Sequence, residues 1–309
     1  MDRASYFIKS RALFGSFPTQ TAVDELEQEG VRFFVDLTFS DERKIVPYKT
    51  KYKYISYPIL DHHTPDDPIK FVYFILELGH IIRQLQRGNM LYLHCKGGHG
   101  RSGVVVAILL CHMFNISPDQ ALEYTTRYHS KRSVMREKWR KLGSPQTYQQ
   151  KSFVYYCCKP INFFRTFVSG YTGGFSNFSP HRVIIEGFGT FYTAEAAIQA
   201  YKCPTDKEYV YKQQNCVSPI MARNMGRKIE LRPDWDIVSS ALMFKVLKCK
   251  FDQHLEIKKS LMDTKLSPII QHTRGDSYWG DSGDGSGLNI LGIQLTRLRD
   301  NYYRENLKI

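Results

Sequence analysis

The chain has 309 residues, 42% of them hydrophobic, and a formal net charge of +13. The hydrophobic fraction is high enough to bury cores, which argues against global disorder, and the length suits two domains on the usual scale of roughly 100–200 residues each. Seven cysteines, an odd number at irregular spacing, suggest neither a disulfide framework nor a CxxC zinc pattern. The basic balance favours anionic partners such as phosphates, nucleic acid or acidic lipid.

The N-terminal segment MDRASYFIKSR is too charged for a secretory signal. No apolar run approaches the ~18 residues expected of a transmembrane helix. Together with the cysteine pattern, these features predict a cytoplasmic protein without a membrane span.

Strands and helices alternate along the first half of the chain. VRFFVDL and YKYISYPI are predicted strands, whereas IKFVYFILELGHIIRQLQ has the three- and four-residue apolar spacing of a helix. Asp67 and Pro68 predict the start of this helix, and Gly88 its end. NMLYLH is a predicted strand, VVVAILLCHMF a buried helix, and another helix is predicted from Ser117. The alternation predicts an α/β domain with a mostly parallel central sheet flanked by helices.

A glycine-rich loop, in LYLHCKGGHGRSG, connects the strand ending at His94 to the helix predicted to begin at about Ser102. Its glycines allow consecutive N–H groups to turn inward as an anion cradle, and the positive end of the helix dipole points to the same place. Both features favour the ionised form of Cys95, which is therefore expected to be a thiolate. Arg101 offers a planar fork that matches two phosphate oxygens. The sequence predicts a loop that holds a phosphoryl group above a nucleophile.

The string HCKGGHGRSG resembles the signature loop of the cysteine-dependent protein tyrosine phosphatases, especially the compact dual-specificity branch. The resemblance covers roughly residues 1–158 and implies a phosphocysteine mechanism. In that mechanism Cys95 attacks phosphorus, Arg101 holds the equatorial oxygens, and Ser102 helps the thiolate to leave. The remaining loop residues, expected to bind substrate, are Lys96, Gly97, Gly98, His99 and Gly100.

The resemblance also implies an aspartic acid that protonates the leaving oxygen, and LDHHTPDDP contains three candidates. Asp66 and Asp67 are explained as helix-capping residues. Asp61 lies at a strand end before an irregular loop, in a context similar to the acid loop of the small dual-specificity enzymes. We therefore expect Asp61 to be the general acid.

The basic run and the histidines of the first half are interpreted separately from the glycine loop. The basic run 127–141 is either a solvated face or a docking surface for an anionic substrate. The histidines at 62, 63, 94 and 99 lack a spaced set of carboxylates or thiolates, so no metal site is predicted.

The second half is predicted to begin after Pro160, which gives domains at 1–158 and 162–309. INFFRTFVSGYTGGFSNFSP is predicted as loop and turn, and RVIIEGFGTFY as a hairpin around Gly187. TAEAAIQAYK is a predicted helix capped by Thr193. Further helices are predicted in LRPDWDIVSSALMFKVLKCKF, HLEIKKSLMD and IQLTRLRDNYYREN. This pattern predicts a mainly α (α+β) domain.

Glu195, Gln199 and Lys202 fall on one face of the predicted helix, a stripe that alone indicates only a solvated surface. The sequence around this stripe resembles the NADAR superfamily, which includes the N-glycosidase of the riboflavin pathway. The segments that carry the resemblance are FSNFSP, LRPDW and DSYWGDSGDGSGLNILG. The match runs over roughly residues 162–306. It implies hydrolysis of ribosyl N-glycosidic bonds, in riboflavin-pathway pyrimidine intermediates or in ADP-ribosyl groups on guanine.

Cleavage of a ribosyl C–N bond develops oxocarbenium character, which needs a carboxylate or another nucleophile near C1′. Glu195 is the expected acid/base or charge stabiliser, and Lys202 a nucleophile through a Schiff base; direct attack by water stays an equal alternative. Ala196 follows Glu195 where many NADAR relatives carry a histidine. The residues expected to bind the substrate are Asn177, Phe178, Asp276, Tyr278, Trp279 and Asp281.

The sequence thus predicts a bifunctional hydrolase that needs neither a metal nor an organic cofactor. Its predicted substrates are a phosphorylated protein, lipid or RNA at the first site, and a ribosylated small molecule or ADP-ribosylated group at the second. The alternatives are a non-catalytic scaffold that binds phosphate or ADP-ribose, and a nucleic-acid binder that uses the basic surface.

Overall fold

The computed structural model describes residues 2–164 and 173–306. The chain divides into two compact units, Met1–Lys159 with Leu266–Pro268, and Pro160–Lys265 with Ile269–Ile309. The part of the predicted loop at 165–172 lies outside the described residues. Among the helices described, none combines the length and apolarity needed to cross a membrane.

The first unit is built on a sheet of five strands, which are β1 Ala4–Ile8, β2 Ala12–Ser16, β3 Val31–Asp36, β4 Lys53–Ser56 and β5 Met90–Cys95. Their order in the sheet is β1-β2-β5-β3-β4. Only the β1–β2 pair is antiparallel, so the sheet is mostly parallel, as predicted. The helices are α1 Gln20–Gln28, α2 Pro68–Gln84, α3 Arg101–Phe114, α4 Pro118–Ser130, α5 Glu137–Leu142 and α6 Tyr148–Cys158.

Strand β5 and helix α3 form the buried centre of this unit. Every residue of β5 is buried, and α3 is buried from Arg101 to His112. Such unbroken apolar runs are expected when helices cover both faces of a parallel sheet. The loop between these two elements therefore lies at the carboxyl end of the central strand, the edge at which α/β proteins bind ligands.

The second unit is mainly helical, as predicted, with two small sheets. The helices are α7 Ala194–Ala200, α8 Lys207–Gln214, α9 Pro219–Gly226, α10 Trp235–Gln253, α11 Leu255–Asp263 and α12 Ile290–Asn306. A parallel pair joins β6 Ile161–Phe163 to β9 Ile269–Gln271, and β7 Val183–Ile185 pairs with β8 Gly189–Phe191 in an antiparallel hairpin. The predicted Thr193 cap is confirmed, because its side chain accepts from the N–H of Ala196. Helices α8 and α9 were not predicted.

Candidate active sites

The glycine-rich loop of the first unit begins at a buried thiol and packs against the end of β2. Cys95 ends β5, is buried, and has its Sγ 3.5 Å from Ser102 Oγ. Gly98 has a φ of +73°, and a Cβ there would lie 2.4 Å from the backbone carbon of Gly15. Only glycine fits this position, because the loop packs directly on the end of β2.

Arg101 is held by four groups around its guanidinium. The side chain is 1% exposed and donates to the carbonyl oxygens of Leu37, at 3.3 Å, and Ile59, at 2.9 Å. Glu42 binds both Nη atoms, with Nη2–Oε2 at 3.0 Å. Asp61 Oδ1 lies 3.0 Å from the same Nη2. The guanidinium is thus fixed in orientation beside the loop.

Asp61 and Glu42 differ in what the sequence revealed about them. The structure brings Asp61, which is half-exposed, to the arginine of the loop. Asp67 instead accepts from the backbone N–H groups of Ile69 and Lys70, which confirms its predicted capping role. Glu42 was missed, since one of two adjacent acids in the polar segment FSDERK gives no signal of long-range pairing.

Behind Cys95 lies a buried polar layer centred on His94. Tyr48 Oη is 2.7 Å from His94 Nε2, and Asp36 Oδ1 is 3.6 Å from Nδ1. Asp36 in turn accepts from Thr38 and Tyr54. Burial lowers the pKa of His94 to about 4, although the charge of Asp36 opposes this shift. The imidazole at the strand end is therefore neutral at pH 7.

Part of the basic run 127–141 packs against the buried side of the glycine-rich loop. Arg132 is 2% exposed and donates to the carbonyl oxygen of Gly98 at 2.7 Å and to that of Phe14 at 3.1 Å. His99 Nδ1 lies 2.7 Å from His129 Nε2, and the His99 ring stacks on Trp139 with centroids 5.0 Å apart. The lysines at 131, 138 and 141 are exposed. The run is therefore partly structural and partly a solvated face.

The second unit contains a cavity of about 470 Å³ between the start of α7, helix α9 and the loops at 174–179 and 271–279. Glu195 and Gln199 reach it from α7, and Lys202 from the turn that follows. The structure thus brings the three predicted residues together. Lys202 lies beyond the helix, because α7 ends at Ala200.

Glu195 and Lys202 have pKa values shifted toward each other. Burial raises the pKa of Glu195, opposed by a 2.8 Å hydrogen bond from Gln199 and by the charges of Arg223 and Lys202. Burial also lowers the pKa of Lys202, whose Nζ donates to the carbonyl oxygen of Gly226 at 3.0 Å. Groups perturbed in this way inside a cavity are typical of acid/base or nucleophilic sites.

The other predicted contacts divide into two groups. Asn177, Phe178, Asp276 and Trp279 line the cavity. Asp281 is not part of the lining among the described residues; its carboxylate accepts from the N–H groups of Thr273 and Gly283 and pairs with His272. Tyr278 is likewise outside the lining, partly exposed, with its ring edge against Trp279.

Three arginines of the lining were missed by sequence reasoning: Arg223 and Arg227 on and just after α9, and Arg274. None of the three pairs with a carboxylate among the described residues. Four of the lining residues also hold a buried polar atom with no hydrogen-bond partner among the described residues, namely Asn177 Oδ1, Gln199 Oε1, Gln271 Oε1 and Arg223 Nε. Within the described part of the chain, the cavity therefore offers a ligand three guanidinium groups that have no carboxylate partner.

A thiol and a fixed guanidinium around a glycine loop fit a cysteine-dependent phosphatase. The carboxylate and lysine in the helical unit fit a glycosidase. Residues 1–154 match the Swiss Army Knife protein DSP-PTPase phosphatase domain, and residues 163–302 match the NADAR domain. The chain belongs to both families, which confirms the two predicted memberships, and it is a hydrolase.

Similar proteins cover either the whole chain or one part of it. The "Putative tyrosine phosphatase 197R" of Invertebrate iridescent virus 6 is 33% identical over 301 residues, 97% of this chain and 91% of the relative. The N-glycosidase YbiA of Escherichia coli (strain K12) is 39% identical over 142 residues, 45% of this chain and 86% of the relative. The NMR structure of E. coli YbiA shares 37% identity and covers 48% of this chain and 88% of its own, with a TM-score of 0.44.

Proposed function

We propose that residues 1–158 hydrolyse phosphate monoesters on protein, lipid or RNA through a phosphocysteine. The observation that carries this proposal is the placement of the Cys95 thiol, Ser102 and the Arg101–Asp61 pair around one glycine loop. Cys95 Sγ attacks phosphorus, the P–O ester bond breaks, and the Asp61 carboxyl gives its proton to the leaving oxygen.

The second step returns the enzyme to its starting state. Water attacks the phosphocysteine, Asp61 accepts its proton, and Ser102 Oγ donates a hydrogen bond to the departing sulfur.

A phosphoryl oxygen bound by Arg101 takes the place of Asp61 on Nη2, which frees the Asp61 carboxyl for proton transfer. Glu42 keeps the guanidinium oriented throughout.

We further propose that residues 162–309 hydrolyse the N-glycosidic bond of a ribosyl compound. The C1′–N bond breaks, the leaving nitrogen gains a proton, and C1′ gains the hydroxyl of a water molecule. A raised pKa suits Glu195 for giving that proton. The unpaired arginines support a substrate that carries phosphate, such as a ribosyl phosphate or an ADP-ribosyl group.

Lys202 is positioned to take part in either of two routes. In one, its Nζ attacks C1′ and the adduct opens to an imine that water hydrolyses. In the other, water attacks C1′ directly and Lys202 forms no covalent bond to the sugar. Treatment with borohydride during turnover separates them, because reduction of an imine adds the ribosyl mass to the peptide containing Lys202. An unmodified peptide supports direct attack by water.

The decisive test of both activities is product analysis by mass on a panel of phosphorylated and ribosylated substrates. Wild type, Cys95→Ser and Glu195→Ala are compared side by side. Cys95→Ser should lose phosphate release alone, and Glu195→Ala should lose base release alone. Absence of both products with wild type would instead support a non-catalytic scaffold.

A further inference from the structure

Lys250, on α10, is a buried cation that neither proposed reaction uses. It has no exposed surface, and its Nζ donates to the carbonyl oxygen of Ser176 at 2.7 Å. Among the residues that the structure describes, this is its only hydrogen-bond partner, and no carboxylate pairs with it. Burial lowers the pKa of Lys250 to about 7. An ammonium buried without a counter-charge is costly, so its presence calls for a function.

The last turn of α10 holds the backbone of one segment of the chain, residues 176–184. Gln253 exchanges two hydrogen bonds with the backbone of Ile184, at 2.9 and 2.7 Å. His254 Nε2 lies 2.7 Å from the carbonyl oxygen of Arg182. Of these contacts, the hydrogen bond from Lys250 to Ser176 O is the one at the beginning of the segment, next to the cavity.

The carbonyl that Lys250 binds belongs to the loop that forms one wall of the cavity. Ser176 precedes Asn177 and Phe178, and all three line the cavity. On its other side the loop is bonded to the start of α7, because Asn177 O accepts from the N–H of Glu195 at 2.9 Å. Lys250 itself does not line the cavity among the described residues, so it acts on a ligand only through this loop.

We propose that Lys250 is a positioning residue of the glycosidase, which fixes the loop presenting Asn177 and Phe178 to the ribosyl substrate through its bond to Ser176 O. The inference rests on the function proposed for residues 162–309. A methionine has nearly the same length and would fill this apolar site without a desolvated charge. The presence of a lysine rather than an apolar side chain here therefore indicates a role in the loop rather than in core stability.

The test replaces Lys250 by methionine in the full chain. Hydrogen exchange, read by mass spectrometry, should be about tenfold faster at the amides of Phe178 and Ser179, whose N–H groups bond to Ser176. The Kd for ADP-ribose, measured by calorimetry, should rise about tenfold, because a loop displaced by about 1 Å loses its contacts. The melting temperature should stay equal or rise. Lys250→Arg, which keeps a donor, should recover part of the affinity.

Lys248→Met is the matched control, because Lys248 lies on the same helix but is only partly buried and pairs with Asp252. It should leave loop exchange and ADP-ribose binding unchanged. If the loop amides of Lys250→Met exchange at the same rate as those of wild type, the positioning role is overturned. It is also overturned by faster exchange throughout residues 173–306 with a lower melting temperature, which indicates core support alone. If the methionine variant does not fold, Lys250→Gln gives the same readouts.

Failure of the inference and failure of the proposed function are distinguishable. If wild type neither binds ADP-ribose nor releases a base from any ribosyl substrate, the proposed function fails. The exchange of the loop amides still decides whether Lys250 fixes the loop.

Discussion

At the scale of single residues, Asp61 is the group whose chemistry can be isolated most cleanly. Asp61→Asn keeps the size of the side chain but removes the proton donor. Turnover of an alkyl phosphate should fall about 100-fold or more, whereas an aryl phosphate with a good leaving group should be affected much less. Asp66→Asn, an exposed neighbour, should match wild type on both. Equal rates of Asp61→Asn and wild type on the alkyl phosphate would falsify the assignment.

Glu42 is predicted to act through Arg101 rather than on the substrate. Glu42→Gln removes the charge that holds both Nη atoms, while the carbonyl oxygens of Leu37 and Ile59 still bind the guanidinium. We expect kcat/KM for an aryl phosphate to fall about tenfold, in line with the loss of one charge-assisted hydrogen bond. Alkylation of Cys95 by iodoacetate should proceed as in wild type. Asp41→Asn, exposed and adjacent, is the control; an unchanged kcat/KM in Glu42→Gln excludes the positioning role.

At the scale of elements, the phosphate loop depends on its contact with the end of β2. Gly98→Ala puts a Cβ within 2.4–2.7 Å of the backbone of Gly15 and Ser16, at a φ of +73°. The loop must shift, and aryl phosphate turnover should fall about 100-fold. Gly88→Ala is the control for backbone strain without a steric clash, because φ at Gly88 is +85° but nothing lies within 4 Å of the added Cβ. That control should cost about 1–2 kcal/mol of stability and keep its activity; equal losses in both variants would show that strain alone matters.

Elements with a long, continuous apolar run were predicted, whereas some short elements without an apolar stripe were missed. Strand β5 and helix α3 are continuous buried runs, so both were predicted. Helix α9 buries only Ala222 and Gly226, which gives no stripe that periodicity could detect. The two arginines that α9 and its C-terminal end bring to the cavity were missed for the same reason. Lys202 was placed on a helix face because periodicity does not reveal that α7 ends at Ala200.

At the scale of the whole molecule, the two sites differ in how much of each is contiguous in sequence. Residues 94–103 carry the thiol, the cradle and the guanidinium of the first site, so one motif predicted most of it. The cavity of the second unit is assembled from α7, α9 and two loops far apart in the chain. Its carboxylate and lysine could be predicted from a motif, but its arginines and the loop contact of Lys250 depend on tertiary packing.

The burial of Lys250 also predicts how the stability of the fold depends on pH. Its pKa is about 7 in the folded state, against 10.5 for a lysine side chain in water, so the unfolded chain binds more protons between these values. The lysine therefore destabilises the fold fully below pH 7, and the cost declines as the pH rises toward 10.5. Lys250→Met should thus be more stable than wild type at pH 7 by an amount on the order of a few kcal/mol, and the difference should narrow by pH 10.

The measurement is the difference in unfolding free energy between wild type and Lys250→Met, by denaturant titration across pH 6–10. The neighbouring His181 and His254 are present in both proteins, so the difference reports Lys250 together with its charge repulsion of His181. Burial lowers the pKa of His181, and the charge of Lys250 lowers it further. A stability difference that stays constant across the range would mean that Lys250 keeps the same charge throughout, and burial would then not control its protonation.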